Sequence, residues 1–257
     1  MSRRIAGILH YVALVSVAAG WHRAYSAQAT ERADQERVSA NVPFVGCKSS
    51  GQVESFPAPK EASYVVRIDE KAAQRLAYYE SAVAPGVLAP RGWFCEAASG
   101  SGGSLFLIAP EPITDFMRQF TGPAIELDDA SGENSGRVEI AEVVARVFPI
   151  EWAFARSTIE GYDLLLKFGP YPKDRLTYKG DRVVEYRTPP NSEGLGTRNR
   201  MRAANEAIEG VAILQGHPPH TVLHLVRLAI RLPGDMKGLE LQITRQLETE
   251  SRKQTER

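Results

Sequence analysis

His217, His220 and His224 fall within eight residues and are the densest set of metal-ligand types in the chain. The chemistry such a set supports is hydrolytic. Three neutral imidazoles plus one water make an open zinc site in which the metal activates the water. The local sequence argues against convergence, because Pro218-Pro219 forces extended geometry between the first two histidines and no His-Glu-x-x-His spacing is present. On a strand, His220 and His224 share a face but lie about 13 Å apart at about 3.3 Å per residue, too far for one ion. On a helix they lie one turn apart and can chelate. A structural role is the better reading of these histidines, with a metal-dependent hydrolase as the alternative.

Arg198, Arg200 and Arg202 follow the EGLGT segment at 193–197 and form the only dense basic patch. Guanidinium forks suit carboxylate or phosphate, so the three are candidate anion-binding residues, although alternating charge on an exposed loop is also ordinary. SGSGGS (99–104) has the composition of a flexible hairpin connection. It lacks the Gly-Lys-Ser/Thr of a phosphate loop and the Gly-x-Ser-x-Gly of a nucleophile elbow. Glu126, Asp128, Asp129 and Glu133 do not reproduce a calcium-loop spacing, and residues 127–137 read as a solvated, turn-forming acidic stretch. Trp93, Phe94, Trp152 and Phe154 read as core. Nothing here names a catalytic residue, and no cofactor is expected.

The start of the chain bears on location. Arg3 and Arg4 precede an uncharged apolar run from Ile5 to Gly20, and Ala27-Gln28-Ala29 offers a small-x-small cleavage site. Sixteen uncharged residues fall short of the roughly 20 that a spanning helix needs. The reading is a cleavable signal peptide over 1–29, a periplasmic or secreted product, and no stable membrane span after cleavage. Loss of Arg3, Arg4 and Arg23 leaves 28 bases against 31 acids. Such a mildly acidic body does not suggest nucleic acid as a partner. Cys47 and Cys95 are the only cysteines, and in an oxidising compartment an even pair is most simply one disulfide. Closing a loop of about 49 residues restricts the unfolded chain by roughly 4 kcal/mol.

The elements that must position these groups alternate between sheet and helix periods. Residues 30–40 read as a solvated arm and 41–60, with Pro43, Pro57 and Pro59, as a loop-rich entry. SYVVRI (63–68) reads as a strand, and Asp69 caps a helix predicted over 70–84. Residues 93–97 and 105–108 form a hairpin. A short helix is predicted over 113–119, longer ones over 138–148 and 152–159, and a helix over 201–209. A second hairpin turns at Lys179-Gly180-Asp181, and 211–215 is a strand. In 221–232 the even positions are nearly all apolar, while Thr221, Arg227 and Arg231 fall on the other face, which is the period of a strand, although Val222, Leu225, Val226 and Ala229 also suit a helix. The fold class is α+β: a mixed, largely antiparallel sheet with flanking helices and one disulfide, in a single domain over 30–245 followed by a polar C-terminal tail over 246–257.

The phrases VPFVGCKSSG (42–51), GVLAPRGWFC (86–95), TPPNSEGLGT (188–197) and LVRLAIRLPG (225–234) resemble the landmarks of exported bacterial proteins with no assigned activity. The resemblance covers most of the mature chain and implies a place in the cell envelope; it supplies no catalytic residues. The expected function is a binding or structural protein acting on an envelope component.

Overall fold

Period-two alternation builds the centre of the molecule. The computed structural model describes residues 38–132, 134–165, 167–216 and 222–255. In chain order these form β1 (Val38–Ser50), β2 (Ser55–Phe56), β3 (Ser63–Ile68), α1 (Glu70–Arg75), β4 (Leu76–Ser81), β5 (Val87–Pro90), β6 (Phe94–Gly100), β7 (Gly103–Ala109) and β8 (Ala124–Ala130). There follow α2 (Ser135–Val147), α3 (Trp152–Tyr162), β9 (Arg175–Tyr178), β10 (Val183–Thr188), β11 (Ile208–Gln215), β12 (His224–Arg231) and α4 (Glu240–Thr255). The strands join in the order β5-β4-β1-β6-β7-β8-β12-β11-β10-β9, with β2 and β3 added to β1. Among these strands only β1–β4 and β1–β6 are parallel pairs. This is the mixed, mostly antiparallel α+β arrangement expected from the sequence.

Strand β1 serves different neighbours in turn. Val38–Pro43 pair antiparallel with β3, Phe44–Cys47 run parallel to β4, and Lys48–Ser50 run parallel to β6. Gly46 sits at the hand-over, where a Cβ would lie 1.8 Å from the Pro59 carbonyl oxygen. Only glycine lets the two backbones approach so closely. The next residue is joined by the Cys47–Cys95 disulfide, Cα–Cα 5.5 Å and 48 residues apart in sequence. It locks β1 to β6 one step before their first ladder pair, Lys48 with Glu96. The stretch 38–50 is therefore a strand, not the arm and loop its prolines and polar residues suggest; three partners outweigh weak local propensity.

The two faces of the sheet carry different cores. On one, Ile125, Leu127, Val226, Leu228 and Ile230 pack with Ile243 and Leu247 of α4. On the other, Ala130, Ala212, Leu214 and Leu225 pack with Ile140, Val143, Val144 and Val147 of α2 and with Ala155 of α3. A third cluster on this second face joins Ala229, Ala124 and Ile208 to Phe120 and Met201 from two irregular segments. Helix α4 runs continuously across position 246, with Leu247 and Ser251 buried, so that part of the polar tail is packed helix.

Four further elements differ from the sequence expectation. Helix α1 ends at Arg75, capped at its start by the Asp69 side chain, and the chain passes directly into β4. Leu76, Ala77, Tyr78 and Tyr79 are all buried, and sheet pairing on both sides overrides the helical spacing. Of the predicted acidic turn over 127–137, residues 127–130 belong to β8, because Ile125 and Leu127 supply an apolar face between two neighbouring strands, and 135–137 open α2, leaving a turn only between them. Residues 201–209 form no helix; they cross over Phe120, with Arg202 N donating to its carbonyl at 2.9 Å, before entering β11. Residues 113–119 form turns around Asp115, which accepts from Met117 N through Oδ1.

Candidate functional site: a charged floor beneath an irregular loop

Between the α2 and Phe120 clusters, the second face of the sheet carries charge. Alternation along β8 places Glu126 and Asp128 on that face, and alternation along β12 places Arg227 and Arg231 there. Glu126 and Arg227 are 0% exposed and Asp128 is 4% exposed. Arg227 donates through Nη2 to Glu126 Oε1 at 2.7 Å and to Asp128 Oδ2 at 3.3 Å. Buried charges persist only when paired and hydrogen-bonded in this way. Burial alone lowers the pKa of Arg227, but the carboxylates of Glu126 and Asp128 reverse the sign and hold it above its ordinary value, so it stays charged.

This floor fixes the long segment 189–207 that joins β10 to β11. Glu126 Oε2 accepts from the backbone N–H of Arg200 at 2.6 Å and of Met201 at 3.2 Å. Arg227 Nη1 donates to the Leu195 carbonyl at 3.3 Å. Arg231 Nη1 reaches the carbonyls of Phe120 and Gly122, and its Nη2 that of Arg202. At the loop's other end Asp174 accepts from Thr188 Oγ1 and Leu195 N, both at 2.8 Å, while Thr188 Oγ1 accepts from Gly196 N at 3.0 Å. Irregular backbone has no ladder of its own, so buried side chains satisfy its polar groups.

One link runs from the floor to α2. Asn199 Nδ2 donates to Asp128 Oδ2 at 2.9 Å and to Glu139 Oε1 at 3.3 Å, holding two carboxyl groups around one amide. Burial raises Asp128 to about 7; Arg227 opposes this, the charge of Glu139 and a hydrogen bond with it add to the rise, and Arg198 opposes it weakly.

Above the floor lies a cleft of about 650 Å³, lined by Glu142, Tyr171, Glu193, Arg198, Asn199 and Arg202 among others. Its walls are held. Arg198 is ion-paired with Glu142 of α2, and Arg146 stacks 4.3 Å above the Tyr171 ring. Gly169 N donates to the Ala145 carbonyl at 2.8 Å, tying the segment before Tyr171 to the same helix. A second cleft, of about 610 Å³, lies over β9–β11 beside the start of α4. Two ion pairs match some of its charges across strands, Arg187 with Glu209 and Glu185 with Lys179.

The residues singled out by sequence are placed as follows. Arg198 and Arg202 both line the larger cleft, whereas Arg200 turns toward the Met117 sulfur. The three do not converge on one point. His217 and His220 lie outside the described residues. His224 is placed with Nδ1 2.9 Å from Gln215 Oε1 and Nε2 against Asp129 Oδ1, so both ring nitrogens have protein partners. Among the described residues no group of three or more His, Cys, Asp or Glu is disposed to hold a metal. The sequence places Glu126 and Asp128 among acids of a solvated turn, whereas both are buried, and it does not single out Glu139, Glu142 and Asn199. The signal was present in part: acids at period two in AIELDD match Arg227 at period two in LVRLAIR, which is the pattern of facing charges on paired strands. Comparison with protein-family models, with curated proteins and with solved structures gave no match.

Proposed function

We propose that this chain is an exported binding protein of the cell envelope, and that the cleft bounded by Glu142, Tyr171, Glu193, Arg198 and Arg202 is its ligand site. One observation carries the reading: the fully buried Glu126–Arg227 pair holds the backbone of the irregular 189–207 segment in place at Leu195, Arg200 and Met201. Long structureless connections inside compact domains are uncommon, and those that are rigidly held are disproportionately functional. A wall fixed beforehand loses little conformational entropy when a ligand arrives.

Export is supported by the leader composition and is consistent with the Cys47–Cys95 bond. Among the described residues no helix is long and apolar enough to cross a membrane. Binding takes precedence over metal-dependent hydrolysis because His224 is already engaged by Gln215 and Asp129.

Small molecules released by denaturing the purified, untagged protein and identified by mass spectrometry test the binding reading. A stoichiometric compound is expected from the native protein and not from Ala203→Trp, which fills the cleft from an exposed position on its lining. Equal recovery from both would overturn the site. About one equivalent of zinc in the same preparation, lost on His220→Ala, would restore the hydrolase alternative.

A further inference from the structure

Among the described residues, not every charge that lines the cleft has an ion-pair partner, and the remainder has a pattern. Arg198 is cancelled by Glu142. Asn199 is committed to Asp128 and Glu139. Arg202 donates through Nη1 to the carbonyls of Asn199 at 2.6 Å and Met201 at 3.1 Å, and no carboxylate among the described residues is ion-paired with it. Glu193 is exposed and is likewise without an ion-pair partner among the described residues. One uncompensated guanidinium and one uncompensated carboxylate thus line the same cavity.

Both are held from behind. The Arg202 backbone is fixed on each side, its N–H donating to the Phe120 carbonyl at 2.9 Å and its carbonyl accepting from Arg231 Nη2. Glu193 lies between Ser192, whose hydroxyl donates to the Pro190 carbonyl at 3.1 Å, and Gly194, whose N–H donates to Thr197 Oγ1 at 3.0 Å. A Cβ at Gly194 would lie 2.1 Å from Asp174 Oδ1, so the backbone beside Glu193 is packed tightly against its support. The two charges are therefore presented by a rigid frame, the condition under which charge-assisted hydrogen bonds discriminate between ligands. A cleft of about 650 Å³ is within the range of small-ligand sites.

We infer that the cleft takes a small zwitterion, an α-amino acid or short peptide with free termini, with Arg202 facing the carboxylate and Glu193 the ammonium group. The inference rests on the cleft being the ligand site and adds the ligand's class to it. An ammonium has three donors and no acceptor and so suits Glu193, while a carboxylate fits the planar guanidinium fork of Arg202. A simple anion would be repelled by Glu193, and a simple cation by Arg202.

Titration calorimetry of the mature, disulfide-bonded protein with L-alanine, tri-alanine, N-acetyl-tri-alanine and tri-alanine amide tests this. At least one of the two free zwitterions is expected to bind, and which one binds separates an amino-acid site from a peptide site. Each cap is expected to weaken binding by about tenfold or more, the scale of losing one charge-assisted contact. Glu193→Gln, at an exposed position, should erase the sensitivity to acetylation while leaving that to amidation. Arg202→Gln should do the converse, and if that variant fails to fold the Glu193→Gln result decides alone. Capped and free forms binding equally, or neither free zwitterion binding at millimolar concentration, would overturn the inference. In that case a different compound recovered from the wild type and absent from Ala203→Trp keeps the site and rejects only the ligand class. Tri-alanine binding that persists in Ala203→Trp rejects the site itself.

Discussion

On one face of β8 and β12, Ile125, Leu127, Val226, Leu228 and Ile230 meet Ile243 and Leu247 of α4. On the opposite face, one residue along each strand, Glu126, Asp128 and Arg227 meet each other beneath α2 and the 189–207 segment. The first surface is held by non-directional burial, which tolerates rearrangement provided volume is kept. The second is held by a few directional contacts, each necessary to its neighbours, and it holds an irregular segment where a helix face would not. The same strands therefore support a packed core on one side and a cleft on the other.

Removing one charge gives the largest contrast between the faces. Arg227→Met leaves Glu126 and Asp128 buried without their cation and is expected to lower unfolding stability by about 3–5 kcal/mol, measured by urea denaturation. Replacing Glu126 and Asp128 by leucine in the same protein should recover only part of the loss: the uncompensated buried charge is gone, but the N–H groups of Arg200 and Met201 lose their acceptor. A cost below about 1 kcal/mol for the single variant would show that the two faces do not differ in this way.

Leu228→Ala, on the α4 face, is expected to cost about 2–5 kcal/mol from lost burial and the cavity left behind. Its effect should be the same at pH 5 and pH 8. Opening the Cys47–Cys95 bond by the Cys47→Ser, Cys95→Ser double variant is expected to cost about 2–4 kcal/mol. Because that bond joins β1 to β6, hydrogen exchange should quicken there more than in β11 or β12.

Dependence on pH sharpens the comparison further. Burial raises Asp128 to about 7, above the ordinary carboxylate range near 4. Between these values the folded protein binds the proton and the unfolded chain does not, so this group's contribution to stability is full below pH 4 and is lost as pH rises toward 7. Asp128→Asn should flatten that part of the stability profile. Asp174, Glu80 and Glu248 are raised as well, each chiefly by burial, and leave a residual slope of the same sign. The smallest effect is expected for Glu193→Gln: stability within about 0.5 kcal/mol of the parent, as for most exposed positions, with any change confined to ligand binding.

The alternating apolar pattern of 222–232, the helical stripe of 138–148 and the break at Pro149 before 152–159 survive in β12, α2 and α3, because each is a strong local period. Elements whose identity depends on neighbours were not legible. β1 holds a proline and polar residues that suit a loop, and it becomes a strand only because β3, β4 and β6 are there to pair with it. β4 has helical spacing and is drawn into the sheet between β1 and β5. Glu126 and Asp128 look like residues of a solvated turn because acids are rarely buried. Their partner, Arg227, lies about a hundred residues further on.

What the chain determines by itself is what depends on type and near spacing: two cysteines and no third, two arginines followed by an uncharged apolar run from Ile5 to Gly20, the α+β mixture of periods, and one strand with its arginines set opposite its leucines and valines. What only the tertiary structure decides is which of those arginines meets which acid, and that their meeting holds an irregular segment over a cleft. The physical reason is that a buried charge is tolerable only beside its opposite, and the backbone must bring both to one place before either can be judged.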